Sequence, residues 1–215
     1  MSNTMFFEQY LNFRGILIEP IYDFYKKLVN NRKRNICINK AINNKSEIEM
    51  YVNGAVSANI DTMSCQFKKR WHKRSKKQLI QTTTLEDLFL ENNIKYIDLF
   101  SLDVEGGELD VLNTINWDNI EIYLFCIELD NNDPIKDDQC RKILKEHNFV
   151  FKHKIGINEF WINPNYSRIN ILFDKNINKE IFSGNLDDYG NHLFLEKKAR
   201  QNIENQILNY ELQNK

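Results

Sequence analysis

The chain has 215 residues, with 29 Lys or Arg against 30 Asp or Glu, so its net charge is −1. A chain of this length buries about 70% of its unfolded surface without a disulfide framework, and the balanced charge excludes a uniformly basic or acidic protein. The four cysteines have no metal-type spacing, no apolar run reaches the roughly 18 residues of a membrane span, and no signal peptide opens the chain, so we expect an intracellular, cytoplasmic protein without a membrane partner.

The first part of the chain predicts strands and helices in alternation. Residues 15–20 (GILIEP) form a short apolar strand whose closing proline suits the first turn of a helix over 21–31. Residues 35–42 and 47–53 predict two further strands. Residues 54–79 have no clear period, so we expect them to be mostly loop.

The remaining elements continue the alternation and define the fold class. In chain order they are a helix over 83–93, a strand over 96–104, a helix over 108–115, a strand over 120–130, a helix near 135–147, strands over 149–156 and 158–166, and a helix near 193–213. Nearly continuous apolar strands between helices indicate an α/β fold with a mostly parallel sheet. The two late strands lie too close together for a crossover and predict an antiparallel hairpin. We expect a domain over 1–166 and an extension with an amphipathic helix over 167–215.

Carboxylates follow three of the predicted strands. They are Glu19, Asp103, Glu105, Glu128 and Asp130. In open α/β sheets ligands bind outside the carboxyl ends of the strands, so these side chains predict a rim for a positive ligand, a metal or a ligand rich in hydroxyl donors. Gly106 lets the backbone beside Glu105 approach a ligand closely.

Each carboxylate also has a structural interpretation. Glu19 could favour the positive end of the next helix, and Asp103 and Glu105 could mark a polar exit from their strand. Glu108 falls in the first turn of its helix, where stabilisation by the helix dipole is explanation enough. We assign function to Glu19, Asp103 and Glu105, and only the structural role to Glu108.

Residues 68–77 (KKRWHKRSKK) carry seven Lys or Arg and one His. The ordinary interpretation of such a run is a solvated loop. The functional alternatives are a rim that attracts an anionic substrate, a targeting signal, or a nucleic-acid surface with Trp71 available for stacking and a steep dependence on salt. His72 within this run is a candidate general base.

Three segments together resemble the FkbM-type family of S-adenosylmethionine-dependent methyltransferases. They are residues 2–20 (SNTMFFEQYLNFRGILIEP), 83–112 (TTLEDLFLENNIKYIDLFSLDVEGGELDVL) and 159–166 (EFWINPNY). The resemblance runs over about 2–166 and implies a class I, Rossmann-like fold. It also implies S-adenosylmethionine as cofactor and O-methylation of a hydroxyl on a sugar or related small molecule.

The resemblance also implies roles for individual residues. Glu19 would hold the ribose hydroxyls, Ala41 and Ile42 would lie near the adenine, and Asp103 and Glu105 would lie near the methionine moiety and the acceptor. Residues 56–62 would line the site, with Asp61 as their polar contributor. The expected cofactor residues are Glu19, Ala41, Ile42, Asp61, Asp103 and Gly106, and the expected catalytic residues are Asp103, Glu105 and His72.

Members of this family begin with an apolar strand and a glycine-rich acidic turn, and the sequence starts just after that point. Without this first strand, the strands at 16–19 and 96–104 would flank a slot about 9–10 Å wide. The natural chain could be longer, the two strands could pair directly, or another segment or copy could fill the slot. Besides a methyltransferase, the sequence therefore allows an inactive remnant that binds a partner through residues 68–77 or the last helix, and a Mg²⁺-dependent enzyme that uses the carboxylates.

Overall fold

The computed structural model describes residues 4–11 and 13–168. They belong to the first of the two units into which the chain divides, residues 1–174. The helix predicted near 193–213, and all but the first two residues of the extension predicted over 167–215, lie outside the described residues. Those expectations stay predictions.

Helices and strands alternate along the described chain. In order they are α1 (Met5–Leu11), β1 (Ile16–Ile18), α2 (Tyr22–Asn31), β2 (Ile36–Ile38), β3 (Ala41–Ile42), β4 (Glu47–Val52), a 3-10 turn (Gly54–Val56), β5 (Ala58–Asn59), α3 (Cys65–Trp71), β6 (Lys76–Thr83), α4 (Leu85–Glu91), β7 (Tyr96–Leu102), α5 (Glu108–Leu112), β8 (Glu121–Glu128), α6 (Pro134–Glu146), β9 (Val150–Ile155) and β10 (Asn158–Ile162). The strand predicted over 35–42 is divided into β2 and β3. The sequence did not predict α1, which a buried ion pair between Glu8 and Arg32 attaches to the end of α2.

The strands of the described residues form three sheets. β1 pairs with β2, a second sheet has the order β7-β8-β10-β9, and a third has the order β3-β6-β4-β5. β1–β2, β3–β6 and β7–β8 are parallel, whereas β4–β5, β4–β6, β8–β10 and β9–β10 are antiparallel. The hairpin is confirmed, but the expected mostly parallel sheet is not found, and the described fold is mixed α/β. The short connections between β4 and β5 and between β9 and β10 leave room only for antiparallel neighbours.

The loop predicted over 54–79 is wrong for most of its length. Ser64 caps α3 by accepting a hydrogen bond from the Phe67 amide at 3.1 Å. β6 then pairs with β4 over six residues, from Lys76 opposite Val52 onwards. Because β6 has only one buried residue, Ile80, it shows no clear hydrophobic alternation, and the sequence pattern could not reveal it.

The main apolar core lies where α4, α5 and α6 pack on β7 and β8. Its most deeply buried members include Leu85, Leu88, Leu112, Phe125, Ile127, Cys140 and Leu144. Each such side chain contributes about 1.5–3 kcal/mol of burial free energy. Ile16 and Ile18 of β1 pack on the same core, yet no strand ladder in the described residues joins β1 to β7, so the two strands do not pair directly. No helix in the described part of the chain is long and apolar enough to cross a membrane.

Candidate functional site

The parallel register of β7 and β8 brings the predicted carboxylates together. Leu102 lies opposite Ile127 at the last pair of the ladder, so Asp103 and Glu128 follow at the same edge of the sheet. The electrostatics agree with this placement, because both carboxylates raise the pKa of the Cys126 thiol, after burial as the larger cause.

The turn after β7 has an unusual backbone. The backbone φ angles of Glu105 (+54°) and Gly106 (+103°) are both positive. A residue with a side chain, such as Glu105, adopts a positive φ only at a cost in conformational free energy. A Cβ atom on Gly106 would lie 3.3 Å from the Thr62 carbonyl oxygen. The positive φ and the close approach of the segment that contains Thr62 therefore both favour glycine at position 106.

Glu108 holds this turn in place from the first residue of α5. Its side chain is buried, with a relative exposure of 2%, and one carboxylate oxygen accepts hydrogen bonds from the Gly106 amide at 3.1 Å and the Val104 amide at 3.3 Å. The other oxygen accepts from Lys136 Nζ at 2.8 Å. The structural role assigned to Glu108 is thus a specific one, because its carboxylate shapes the turn that carries Glu105.

Lys136 is a residue of the cleft wall that the sequence analysis missed. It lies in the first turn of α6, its side chain is 13% exposed, and its ammonium is also 3.8 Å from the buried Asp137 carboxylate. It meets Glu108 across 28 residues of sequence, and no local pattern signals a contact at that separation. The lysine supplies a buried positive charge beside the carboxylates.

The carboxylates hold protons unusually tightly. Desolvation, followed by repulsion from Asp103 and the other acidic neighbours, raises the pKa of Glu105 and of Glu128 to about 7 each. Desolvation and the charge of Glu108 also raise the pKa of Asp103, while a hydrogen bond with Glu128 lowers it. Such a cluster attracts cations and includes carboxylates that can accept a proton near neutral pH.

A narrow cleft with an internal volume of about 10 Å³, room for about one water molecule, lies beside this turn. Its lining residues are Thr62, Ser64, Phe67, Glu105, Gly106, Asp130, Asn132, Asp133 and Lys136. Small-molecule sites usually enclose about 300–1,000 Å³, so this cleft alone is too small to enclose a cofactor. The segment predicted over 56–62 reaches the cleft through Thr62.

The other expected cofactor residues lie outside this cleft. Half-buried Glu19 accepts a hydrogen bond from the Ile21 amide at 2.9 Å, and burial raises the pKa of its carboxyl. Ala41 is buried in the smaller core beside β4 and β6, and Ile42 packs on the main core. Exposed Asp61 forms an ion pair with Lys45 at 2.7 Å, so Thr62 rather than Asp61 is the polar residue of its segment in the cleft wall.

His72 is one side chain away from the cleft. It is 3% exposed, its ring stacks on Tyr51 with centroids 5.3 Å apart, and Nδ1 is 3.0 Å from the Ser75 hydroxyl. Its other ring contact is Phe67, which lines the cleft. Burial lowers the pKa of the imidazole, which is therefore neutral at pH 7. The structure places His72 in the wall behind Phe67 rather than among the residues lining the cleft beside Glu105.

Residues 4–11 and 13–168 contain no group of three or more His, Cys, Asp or Glu side chains that could hold a metal ion. The described geometry therefore gives no support to the Mg²⁺ alternative.

Comparison with known proteins gives one positive finding. A family model described as "Methyltransferase FkbM domain" matches residues 1–151, more than half of the chain. The match ends at Phe151 in β9, so the resemblance expected to reach residue 166 is shown over this shorter range. Searches against curated proteins and against solved structures each gave no match.

Proposed function

The chain belongs to the FkbM methyltransferase family, and from this premise we propose that it transfers a methyl group from S-adenosylmethionine to a hydroxyl oxygen of a sugar or related small molecule. The observation that carries the proposal is the carboxylate cluster of Asp103, Glu105 and Glu128 at the ends of β7 and β8. We also propose that the fold is of the class I, Rossmann-like type, in which the parallel pairs β1–β2 and β7–β8 would belong to the central sheet.

The chemistry of the donor set fits this cofactor. S-adenosylmethionine carries a sulfonium and an ammonium cation, and carboxylates that are desolvated and crowded together gain most from a cation between them. Asp103 and Glu105, with the backbone of Gly106, would hold the methionine end. Glu19 would accept hydrogen bonds from the ribose hydroxyls, because an ionised carboxylate is an acceptor only. Its hydrogen bond from the Ile21 amide uses one carboxylate oxygen and leaves the other available. Ile42 remains the proposed neighbour of the adenine.

When bound, the cofactor supplies a methyl group on an electrophilic sulfonium. The chain's residues would then position the acceptor hydroxyl and remove its proton. Glu105 and Glu128, with pKa values of about 7, are each ionised in a substantial fraction at neutral pH and could accept that proton at a carboxylate oxygen. Correct placement of two reactants contributes about 7–11 kcal/mol, so orientation would supply most of the rate enhancement.

The proposal is tested by titrating S-adenosylmethionine into the full chain in a calorimeter. We expect micromolar affinity, and an affinity about 10- to 100-fold weaker for D103N/E105Q, because charge-assisted contacts to a bound cation are lost. The matched control is D118N/E91Q, which removes two exposed carboxylates elsewhere on the surface and should bind like the wild type.

The second arm measures transfer of a labelled methyl group to a panel of sugars and sugar derivatives. Methylation of a hydroxyl that D103N/E105Q loses and D118N/E91Q keeps would support the proposal. A folded chain that binds no S-adenosylmethionine would overturn it and favour the inactive binding module instead. Equal loss of binding in D103N/E105Q and D118N/E91Q would show that the carboxylate cluster does not bind the cofactor specifically.

A further inference from the structure

The ten residues 68–77, here called the basic surface, form a folded surface rather than a free loop. Lys68 to Trp71 complete α3, and Lys76 and Lys77 begin β6. Between them, buried His72 anchors the turn against Tyr51, and Asn53 Nδ2 donates a hydrogen bond to the Trp71 carbonyl at 2.7 Å. The anchor accounts for His72 without any role in catalysis.

In the part of the chain that the structure describes, few positive charges of the basic surface have an acidic partner. All seven basic residues are exposed: Lys68, Lys69, Arg70, Lys73, Arg74, Lys76 and Lys77. Of these seven, only Lys77 forms an ion pair with a residue that the structure describes, namely Glu49 at 3.2 Å. Seven of the chain's 29 basic residues are thus concentrated on one short surface of a protein whose net charge is −1. Folding does not explain this concentration, since no acidic side chain within residues 4–11 and 13–168 pairs with the other six.

Trp71 adds an aromatic platform to this surface. Its side chain is 40% exposed, and the guanidinium of Arg70 lies 4.9 Å from the centre of its ring. A second ring, that of Tyr51, has the ammonium groups of Lys68 and Lys77 at 5.4 and 5.8 Å. An exposed ring such as that of Trp71, with cations beside it, is the combination that binds an unpaired base together with its phosphates.

From these contacts we infer that the basic surface binds single-stranded nucleic acid, independently of methyl transfer. The cations of α3 and β6 contact phosphates along the strand, and the Trp71 indole stacks on a base. Uncompensated charge alone would suit any polyanion. The exposed indole, with the Arg70 guanidinium near its ring, adds a base-stacking contact that a sulfated polysaccharide cannot use.

The test is fluorescence anisotropy of the full chain with a labelled 12-nucleotide uridine oligomer at several salt concentrations. The logarithm of the binding constant should fall linearly with the logarithm of salt, by about 0.7 per phosphate neutralised. W71A should weaken binding about 5- to 150-fold with an unchanged salt slope, because stacking releases no counterions. K69Q/K73Q/R74Q should make the slope less negative by about 2.

The matched control is K26Q/K27Q/K33Q, which removes the same charge from and just after α2 and should leave both affinity and slope unchanged. Circular dichroism confirms that each variant is folded. Absence of binding at low salt would overturn the inference. The inference would also be overturned if W71A bound the uridine oligomer as tightly as the wild type does. The same holds if the wild type bound a 12-base-pair duplex, a heparin fragment or phosphatidylserine vesicles more tightly than the oligomer.

Discussion

The protons held by Glu105 and Glu128 should make the stability of the fold depend on pH near neutrality. In the folded chain both pKa values are about 7, against 4.5 for the unperturbed side chain. Above pH 4.5 the unfolded chain releases these protons while the folded chain retains them. Their contribution to the free energy of unfolding is therefore largest at acidic pH and is lost as the pH rises through 7.

The magnitude follows from the size of the shift. A difference of about 2.5 pH units corresponds to about 3.4 kcal/mol for one isolated group. The two carboxylates are partly hydrated and repel each other, so their contributions overlap, and we expect about 3 kcal/mol for the pair between pH 5 and 8.

Histidine titration acts in the opposite direction within the same range. Burial lowers the pKa values of His72 and His147, so their contributions to stability increase as the pH rises towards 6.5. The carboxylate effect must therefore be read as a difference between the wild type and E105Q/E128Q, in which the histidines are unchanged.

Urea denaturation followed by circular dichroism, at intervals from pH 5 to 8.5, measures this difference. The variant should gain about 3 kcal/mol on the wild type over the range, whereas E91Q, which removes an exposed carboxylate, should follow the wild type in parallel. A difference that stays constant with pH, or one that moves against the variant, would refute the proton-holding cluster.

Three further changes test the packing around the site by the same denaturation assay. E108Q keeps an acceptor for the turn but leaves the Lys136 ammonium without its closest charge partner, so it should cost about 3 kcal/mol; a loss below 1 would contradict the buried pair. G106A should cost about 2–3 kcal/mol, against about 1 for G156A, which has a similar left-handed backbone but open space around it; equal losses would contradict the close approach at Gly106. L88A should cost about 2–5 kcal/mol, and a neutral result would remove Leu88 from the core.

Local patterns in the sequence were enough to predict the strands that carry the carboxylate cluster. Strong apolar runs identified β7 and β8, the spacing of Leu85 and Leu88 identified α4, and the carboxylates that follow the two strands predicted where the cluster lies. These predictions succeed because hydrophobic period and strand direction depend on residues close together in the chain. The family resemblance, confirmed over residues 1–151, came from the same stretches.

The remaining features of the fold and of the site depend on contacts between residues that are far apart in the sequence. β6 carries one buried residue, so its pairing with β4 is visible only in three dimensions, and it turned an expected loop into the centre of a sheet. The contact of Lys136 with Glu108, and the approach of Thr62 to Gly106, join distant segments whose encounter depends on how the whole domain packs. Desolvation raises the carboxylate pKa values only once that packing removes water. The sequence by itself thus determined which charges stand at the strand ends, and the tertiary structure decided how tightly those charges hold their protons.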